Sequence, residues 1–172
     1  MPFDFAIGID PGLHGAIVAI ALHREGFTLT HAYPMPLTHD KSDVAVKGLV
    51  TYLRSMPIKN IFLEQAVACA FAFRGGGRQS VASGFTCGSN FGRITGALDL
   101  AGIQYTSVTP RMWTAKMHKG VKAETSKEKS LAVFKKLCTK DSQSKAILPR
   151  CRVMHDGVID AALIAYWGAT IE

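Results

Sequence analysis

Phe3-Asp4-Phe5-Ala6-Ile7-Gly8-Ile9-Asp10-Pro11-Gly12 is an apolar run that ends on an acid and a turn. Phe3 to Asp10 predicts a strand, and Asp-Pro-Gly reverses the chain after it. By strand alternation Asp10 shares a face with Gly8 and Ala6, two small residues, which predicts open space beside its carboxylate. Asp before Pro-Gly is also an ordinary turn residue, so the position alone leaves both readings open. Gly15 to Leu22 predicts a second strand. Phe27 to Tyr33 predicts a third, after a turn at Glu25-Gly26.

Further along, helices and strands alternate. Asp43 to Met56 has helical spacing at Val46, Leu49, Val50 and Leu53, and Pro57 ends it. Asn60 to Glu64 predicts a short strand. Ala66 to Gln79 contains Gly75-Gly76-Gly77 and reads as a mobile loop. Ser80 to Ala101 predicts a helix and Ile103 to Val108 a fifth strand. Thr109 to Lys116 and Thr125 to Cys138 predict helices separated by a basic loop. Lys140 to Arg152 reads as a flexible connection, and His155 to Ile171 predicts a last helix. Three strands joined by tight turns, followed by this alternation, imply an α/β fold. It is a five-stranded mixed sheet with helices on both faces, in one domain over residues 1–172.

Composition narrows the class. A chain of 172 residues buries a core without disulfides, and no apolar stretch approaches the length of a membrane span. Met1 to Asp10 carries acids and no base, unlike a signal or transit peptide. Cys69, Cys87, Cys138 and Cys151 are scattered with no C-x-x-C pair, which argues against a zinc site and for reduced thiols inside a cell. The net charge is +7, and its distribution is uneven. Arg111 to Arg152 holds twelve Lys and Arg against three acids, a local +9 that leaves −2 for the rest of the chain. A solvated helical face would explain a charge run. The asymmetry points instead to a phosphate-binding surface.

The acids carry the chemistry. Glu64 ends the short strand Ile61-Phe62-Leu63-Glu64, where a strand terminus meeting solvent is the plain alternative. Asp156 and Asp160 lie four apart in His155-Asp156-Gly157-Val158-Ile159-Asp160, so both fall on one helical face. Leu163, Ile164 and Trp167 continue that stripe, which places the pair on the apolar side of the helix. Like charges at this spacing repel, and burial raises the cost unless a cation answers them. An N-cap role for Asp156 and a helix-dipole role for Asp160 are the alternative. Two strand ends and one helix start can bring four carboxylates to a point. Hard oxygen donors suit Mg²⁺, with Mn²⁺ able to substitute. Two such ions roughly 4 Å apart stabilise the attacking and leaving oxygens of phosphodiester hydrolysis. His155 stands beside them as a further ligand, a proton carrier or a residue that merely flanks the helix start.

Gly8-Ile9-Asp10-Pro11-Gly12 with Gly15 resembles the first strand of RuvC-type Holliday junction resolvases. Phe62-Leu63-Glu64-Gln65 resembles their second acidic motif. His155-Asp156-Gly157 with Asp160-Ala161-Ala162-Leu163-Ile164-Ala165 resembles their C-terminal helix. Val108-Thr109-Pro110 with Trp113, and Ser126-Lys127-Glu128-Lys129-Ser130, also resemble segments of that family. The match is nearest to its short phage and organellar branch and spans most of the chain in order. The resemblance implies an RNase H-like fold, a homodimer, Mg²⁺ dependence with two ions per site, and paired nicks across a four-way DNA junction. The expected setting is intracellular and cytoplasmic, in a bacterial or phage-infected cell.

Carried over residue by residue, the resemblance makes Asp10, Glu64, Asp156 and Asp160 the catalytic metal ligands, with His155 a further candidate. Bacterial members space their last acid pair by three, whereas here the spacing is four, with Gly157 between. Val67 stands where those members place a wedging aromatic, and Phe71 and Phe73 follow nearby. Lys129 falls in a matched segment where a lysine beside the scissile phosphate is expected, and Lys116 matches approximately. Arg74, Arg78, Lys119, Lys122 and Lys127, with Phe71 and Phe73, are the candidate DNA contacts.

Gly84, Gly88, Gly92 and Gly96 recur every four residues and form one smooth stripe on their helix. At roughly 1 kcal/mol of helix propensity each, the stripe implies close packing. It is read first against the domain's own sheet, with a partner's helix as the alternative. Three rival functions remain: an RNase H-like nuclease acting on RNA or flaps, an actin-like ATPase, and a non-catalytic junction-binding protein. The chain is short for two ATPase lobes. A pure DNA binder has no reason to place acids on an apolar stripe.

Overall fold

The computed structural model describes residues 5–57, 60–65, 81–149 and 151–171. The segment read as a mobile loop, with Val67, Phe71, Phe73, Arg74 and Arg78, lies outside them. The described elements run β1 (Phe5–Asp10), β2 (Ala16–His23), β3 (Gly26–Pro34), α1 (Val46–Arg54), β4 (Ile61–Glu64), α2 (Val81–Leu100) and β5 (Thr106–Val108). They continue with α3 (Pro110–Met117), α4 (Ser126–Leu137), a short α5 (Lys140–Gln143), a 3-10 turn (Ser144–Ala146) and α6 (Asp156–Thr170). Among the described residues no helix is long and apolar enough to cross a membrane.

The five strands form one mixed sheet in the order β3-β2-β1-β4-β5. β1, β2 and β3 pair antiparallel, as their short turns require, and β4 and β5 lie parallel to β1. Both faces are covered. Ile7, Ile9, Ile17 and Leu63 point to one face and are buried with Leu49 and Leu53 of α1 and Ile94 and Leu98 of α2. Ala6, Val18, Ile20 and Phe62 point to the other and are buried with Trp113 of α3, Phe134 of α4 and most of α6. Period-two alternation along β1 thus feeds two cores at once.

Helix α6 departs from the expected single stripe. Val158, Ile159, Ala161, Ala162, Leu163, Ile164, Ala165 and Trp167 are all buried, so the helix is enclosed on nearly every side. It can approach β1 because Gly8 has no side chain. A Cβ at Gly8 would overlap the Ala161 carbonyl and stand 2.8 Å from the Ala165 nitrogen. The space expected beside Asp10 on this face is therefore filled by helix backbone.

Two further expectations are corrected. Lys140 to Arg152 does not form a flexible connection over its described residues. Ser142, Ala146 and Leu148 are buried, and the segment covers the edge of β3. The Leu29 N–H donates to Ser142 Oγ at 3.1 Å, the Thr139 N–H to the Phe27 carbonyl at 2.9 Å, and Lys145 Nζ to the Thr30 carbonyl at 3.2 Å. An uncovered sheet edge leaves backbone groups unpaired, and these bonds satisfy them. The glycine stripe of α2 does not seat on the sheet either. Asn90, Ile94 and Leu98 make that contact, while a Cβ at Gly84, Gly88, Gly92 or Gly96 would meet nothing within 4 Å among the described residues.

Replacing Gly8 with Ala is expected to lower stability by about 3 kcal/mol, since backbone on α6 must move to admit one methyl. Urea unfolding followed by circular dichroism measures this. An unchanged midpoint would show that β1 and α6 are not packed this closely.

Candidate active site

Asp10 closes β1 at the point where β2 and β4 flank it. Its Oδ1 accepts the Gly12 N–H at 3.0 Å, so the residue does form the turn that its sequence suggests. The turn leaves the carboxyl facing α6. Burial raises its pKa most, while the Gly12 N–H and the nearby His155 lower it. Glu64 ends the adjacent parallel strand. Its pKa is pushed up to about 7, chiefly by burial and further by Asp10 and Asp160, against a hydrogen bond from Trp113. Asp160 lies one turn into α6. Burial raises it to about 6, with Asp10 and Asp156 adding to the rise, while a Ser130 hydrogen bond and Lys127 oppose it.

Asp10, Glu64 and Asp160 are thus three half-buried carboxylates that sense one another's charge. Among the described residues no three His, Cys, Asp or Glu side chains stand close enough to enclose an ion as placed. The site is an open arrangement of hard oxygen donors, and that donor chemistry fits a divalent cation of the Mg²⁺ class. His155 caps α6 from the β region without a side-chain cap bond. Its Nδ1 is buried and finds no partner among the described residues.

Asp156 is placed differently from its expected position on the apolar side. As the first residue of α6 it projects beyond the helix end, because Cα–Cβ bonds tilt toward the N-terminus. It is exposed and pairs with Lys127 Nζ at 2.7 Å. Spacing of four within a helix put the two acids on one face, but only Asp160 is deep enough to be enclosed.

The basic segment flanks these acids through α3 and α4, both packed on α6. Thr109 caps α3 ahead of Pro110, and a capping box of Thr125 and Glu128 starts α4. Lys127, expected as a DNA contact, is the lysine that reaches the acid rim. Lys129 is half-buried and its charge bears on His118. Lys116, Lys119 and Lys122 are exposed at the end of α3 and in the loop after it.

Sequence reasoning passed over three residues that the structure brings here. Trp113 Nε1–H donates to Glu64 Oε1 at 2.6 Å. Ser130, buried on α4, is near enough to Asp160 to oppose the rise of its pKa and stands 3.1 Å from His118 Nε2. A signal for Trp113 existed in the topology. Glu64 and Val108 are register partners on parallel strands, so the first turns of α3 must lie over the end of β4.

No protein-family model matches the chain, and no curated protein does. Solved structures do. RuvC of T. thermophilus in complex with a Holliday junction substrate aligns with a TM-score of 0.64 at 18% identity, covering 97% of this chain and 93% of that one. A second Thermus thermophilus RuvC structure aligns with a TM-score of 0.61 at 17% identity, covering 96% and 93%. With its sheet order and helices on both faces, this chain has the RNase H-like fold of the RuvC resolvases.

Proposed function

We propose that this protein is a structure-selective DNA endonuclease that resolves four-way junctions by paired, metal-dependent phosphodiester hydrolysis, an activity of recombination and repair. The observation that carries the reading is the trio Asp10, Glu64 and Asp160. Three carboxylates with raised pKa values sit at one end of an RNase H-like sheet, beside a segment of local charge +9. Burial of acids is costly without a cation, and the basic segment suits a polyanion. The T. thermophilus protein that shares the fold was solved with a Holliday junction substrate.

Asp10, Glu64 and Asp160 would hold Mg²⁺ or Mn²⁺, with His155 and Asp156 at the margin. When bound, such ions supply a nucleophile at neutral pH and neutralise charge on the phosphate. The chain's own part is to orient these acids and dock the backbone phosphates. Lys127, Lys129 and Lys116 line the approach, and Lys119 and Lys122 extend it. Phe71, Phe73, Arg74 and Arg78 complete the DNA-contacting set in this reading.

The acting species in this reading is a homodimer, since two coordinated nicks need two sites. The open face of α2 supports it. Phe85 and Leu100 there are 77% and 93% exposed, at opposite ends of the stripe of Gly88, Gly92 and Gly96. A glycine face lets a second helix approach closely, and antiparallel packing would set each Phe85 by the partner's Leu100.

The deciding experiment is incubation of a labelled four-way junction with and without Mg²⁺, beside linear duplex, flap and RNA–DNA hybrid controls. Junction-selective, Mg²⁺-dependent cutting is expected. Preferential cutting of flap or hybrid supports the RNase H-like alternative, and binding without cutting supports a non-catalytic junction protein. Asp10→Asn and Glu64→Gln are expected to lose cleavage by at least 100-fold, as loss of a metal ligand does, while gel-shift affinity for the junction holds. Near-normal cutting by either variant removes that residue from the site.

Metal-free stability has a definite pH sign. Folded Glu64 and Asp160 hold protons to about pH 7 and 6, whereas unfolded carboxyls release theirs near pH 4. The folded state therefore binds more protons in that window, and stability falls as pH rises through it. Asp160→Asn is expected to raise the metal-free Tm over wild type by about 5 °C at pH 7.5 and by little at pH 4. A divalent ion at a hundredfold excess over its Kd stabilises wild type by about 2.7 kcal/mol and narrows the gap. Thermal melts at matched ionic strength check this. An equal Tm at both pH values would show that Asp160 is not strained.

Gly92→Ala and Gly96→Leu test the dimer. On an open helix face each gains helix propensity, roughly 1 kcal/mol. At an interface each keeps helices apart. Light scattering is expected to show a wild-type dimer and monomeric, well-folded variants. A wild-type monomer, alone and on the junction, removes the dimer from the reading.

A further inference from the structure

Among the described residues only Asn90, Ser130 and Ser142 are buried polar side chains. Two of them serve the backbone. Asn90 Oδ1 accepts the Val44 N–H, and Ser142 Oγ accepts the Leu29 N–H. Ser130 serves side chains instead, lying between Asp160 and His118. An ionised carboxylate can only accept, so a Ser130 hydroxyl turned toward Asp160 gives it the single proton. The Ser130 oxygen is then left to accept from His118, which requires the proton on Nε2. Burial and the Lys129 charge both lower the His118 pKa, which favours the neutral ring with that one N–H.

Trp113 makes the matching contact on the other acid. It is 3% exposed, and its Nε1–H reaches Glu64 Oε1 at 2.6 Å. The two contacts are joined, because the Trp113 ring stands edge-on to His118 with centroids 5.6 Å apart and planes at 78°. Core packing alone does not account for the bond. Trp167 is also buried, and its Nε1 finds no partner among the described residues. Among the described residues only one of the two indoles is therefore aimed at an acceptor, and that acceptor is the carboxylate of Glu64.

We infer that Trp113 and Ser130, the latter backed by His118, are positioning residues that fix the orientations of Glu64 and Asp160 before a cation or DNA arrives. The inference rests on the reading of Asp10, Glu64 and Asp160 as the acids that hold the ion. A free carboxylate rotates, and an ion that must first order its ligands binds less tightly. Donors held on α3 and α4 remove that cost. Partners behind a ligand commonly change metal affinity by about 10- to 100-fold. Both residues are 3% exposed, so their effect should fall on ion binding and turnover, leaving junction affinity to the basic surface.

The test uses the full chain, first without DNA. The protein has two tryptophans, so ¹⁵N-indole labelling gives two N–H signals. The Trp113 signal is expected well downfield of the Trp167 signal, displaced further on Mg²⁺ addition, and returned to an ordinary position in Glu64→Ala. Trp113→Phe and Ser130→Ala are then titrated with Mn²⁺ by electron paramagnetic resonance. Each is expected to weaken Mn²⁺ binding about tenfold and to lower kcat on the junction with KM unchanged. The small Ser130→Ala change keeps the test open if Trp113→Phe folds poorly.

Wild type that binds Mn²⁺ and cuts junctions, beside folded variants that bind Mn²⁺ equally tightly, overturns the positioning role alone. A Trp113 signal at the ordinary position and indifferent to Mg²⁺ does the same. Wild type that neither binds Mn²⁺ nor cuts overturns the nuclease reading and this inference with it.

Discussion

The approach of α6 to β1 at Gly8 is the constraint on which the acid site depends. Asp10 ends the strand and Asp160 stands one turn into the helix, so they meet only because backbone lies on backbone between them. Gly8 leaves room for the Ala161 carbonyl, Gly157 for the His14 carbonyl and Gly168 for the Phe62 ring. Three glycines therefore guide the helix along its length. The apolar side chains of α6 supply the force. Val158, Leu163 and Ile164 are fully buried, each at roughly 1.5–3 kcal/mol. Holding Glu64 near pKa 7 disfavours its charged form by roughly 3 kcal/mol. The burial of a few core residues thus offsets the strain of one such acid.

The cause of that strain differs from what residue spacing suggests. In a helix, acids four apart are expected to repel, and the pair Asp156 and Asp160 invites that argument. Yet burial is the largest cause of the raised pKa at Asp10, Glu64 and Asp160 alike, and repulsion from other acids adds to it, as a smaller cause, at Glu64 and Asp160. Asp156 escapes burial at the helix end and finds Lys127. The site is better described as three carboxyls in low-dielectric surroundings than as a knot of like charges.

Much of this was legible before any coordinates. Every strand and all but the smallest helices followed from alternation, 3.6-residue spacing and turn residues, because those signals are local. Asp10 and Glu64 stood out because acids at the ends of apolar strands are conspicuous. What escaped were contacts between distant segments. A helix enclosed on all sides looks from its sequence like one with a wide stripe, so the depth of Asp156 was misjudged. Lys140 to Arg152 is polar and reads as loose, but its few apolar residues and one serine find the edge of β3. The stripe on α2 implied close packing, preferably on the sheet, but among the described residues nothing lies against it, because propensity carries no information about a neighbour. Trp113 and Glu64 are 49 residues apart, and only the parallel register of β4 and β5 brings them together.

The basic segment and the acid site are mechanically one piece. Helices α3 and α4 carry Lys116, Lys127 and Lys129 outward and Trp113 and Ser130 inward, and both pack on α6. A force that moves the outer face therefore also acts on Trp113, whose Nε1–H bonds Glu64, and on Ser130 beside Asp160. The ion pair of Lys127 and Asp156 lies at the boundary between the two faces. Its side chains are 75% and 54% exposed, and a pair so wet contributes about 0–1 kcal/mol. A phosphate offers the same lysine a charge-assisted bond of its own. A phosphate arriving at the rim can take Lys127 at little cost. Asp156 is then left unpaired at the helix end, one turn from Asp160, whose pKa its charge already raises. Binding of a polyanion on the basic face and retention of a cation on the acidic one would then reinforce each other through a single exposed pair.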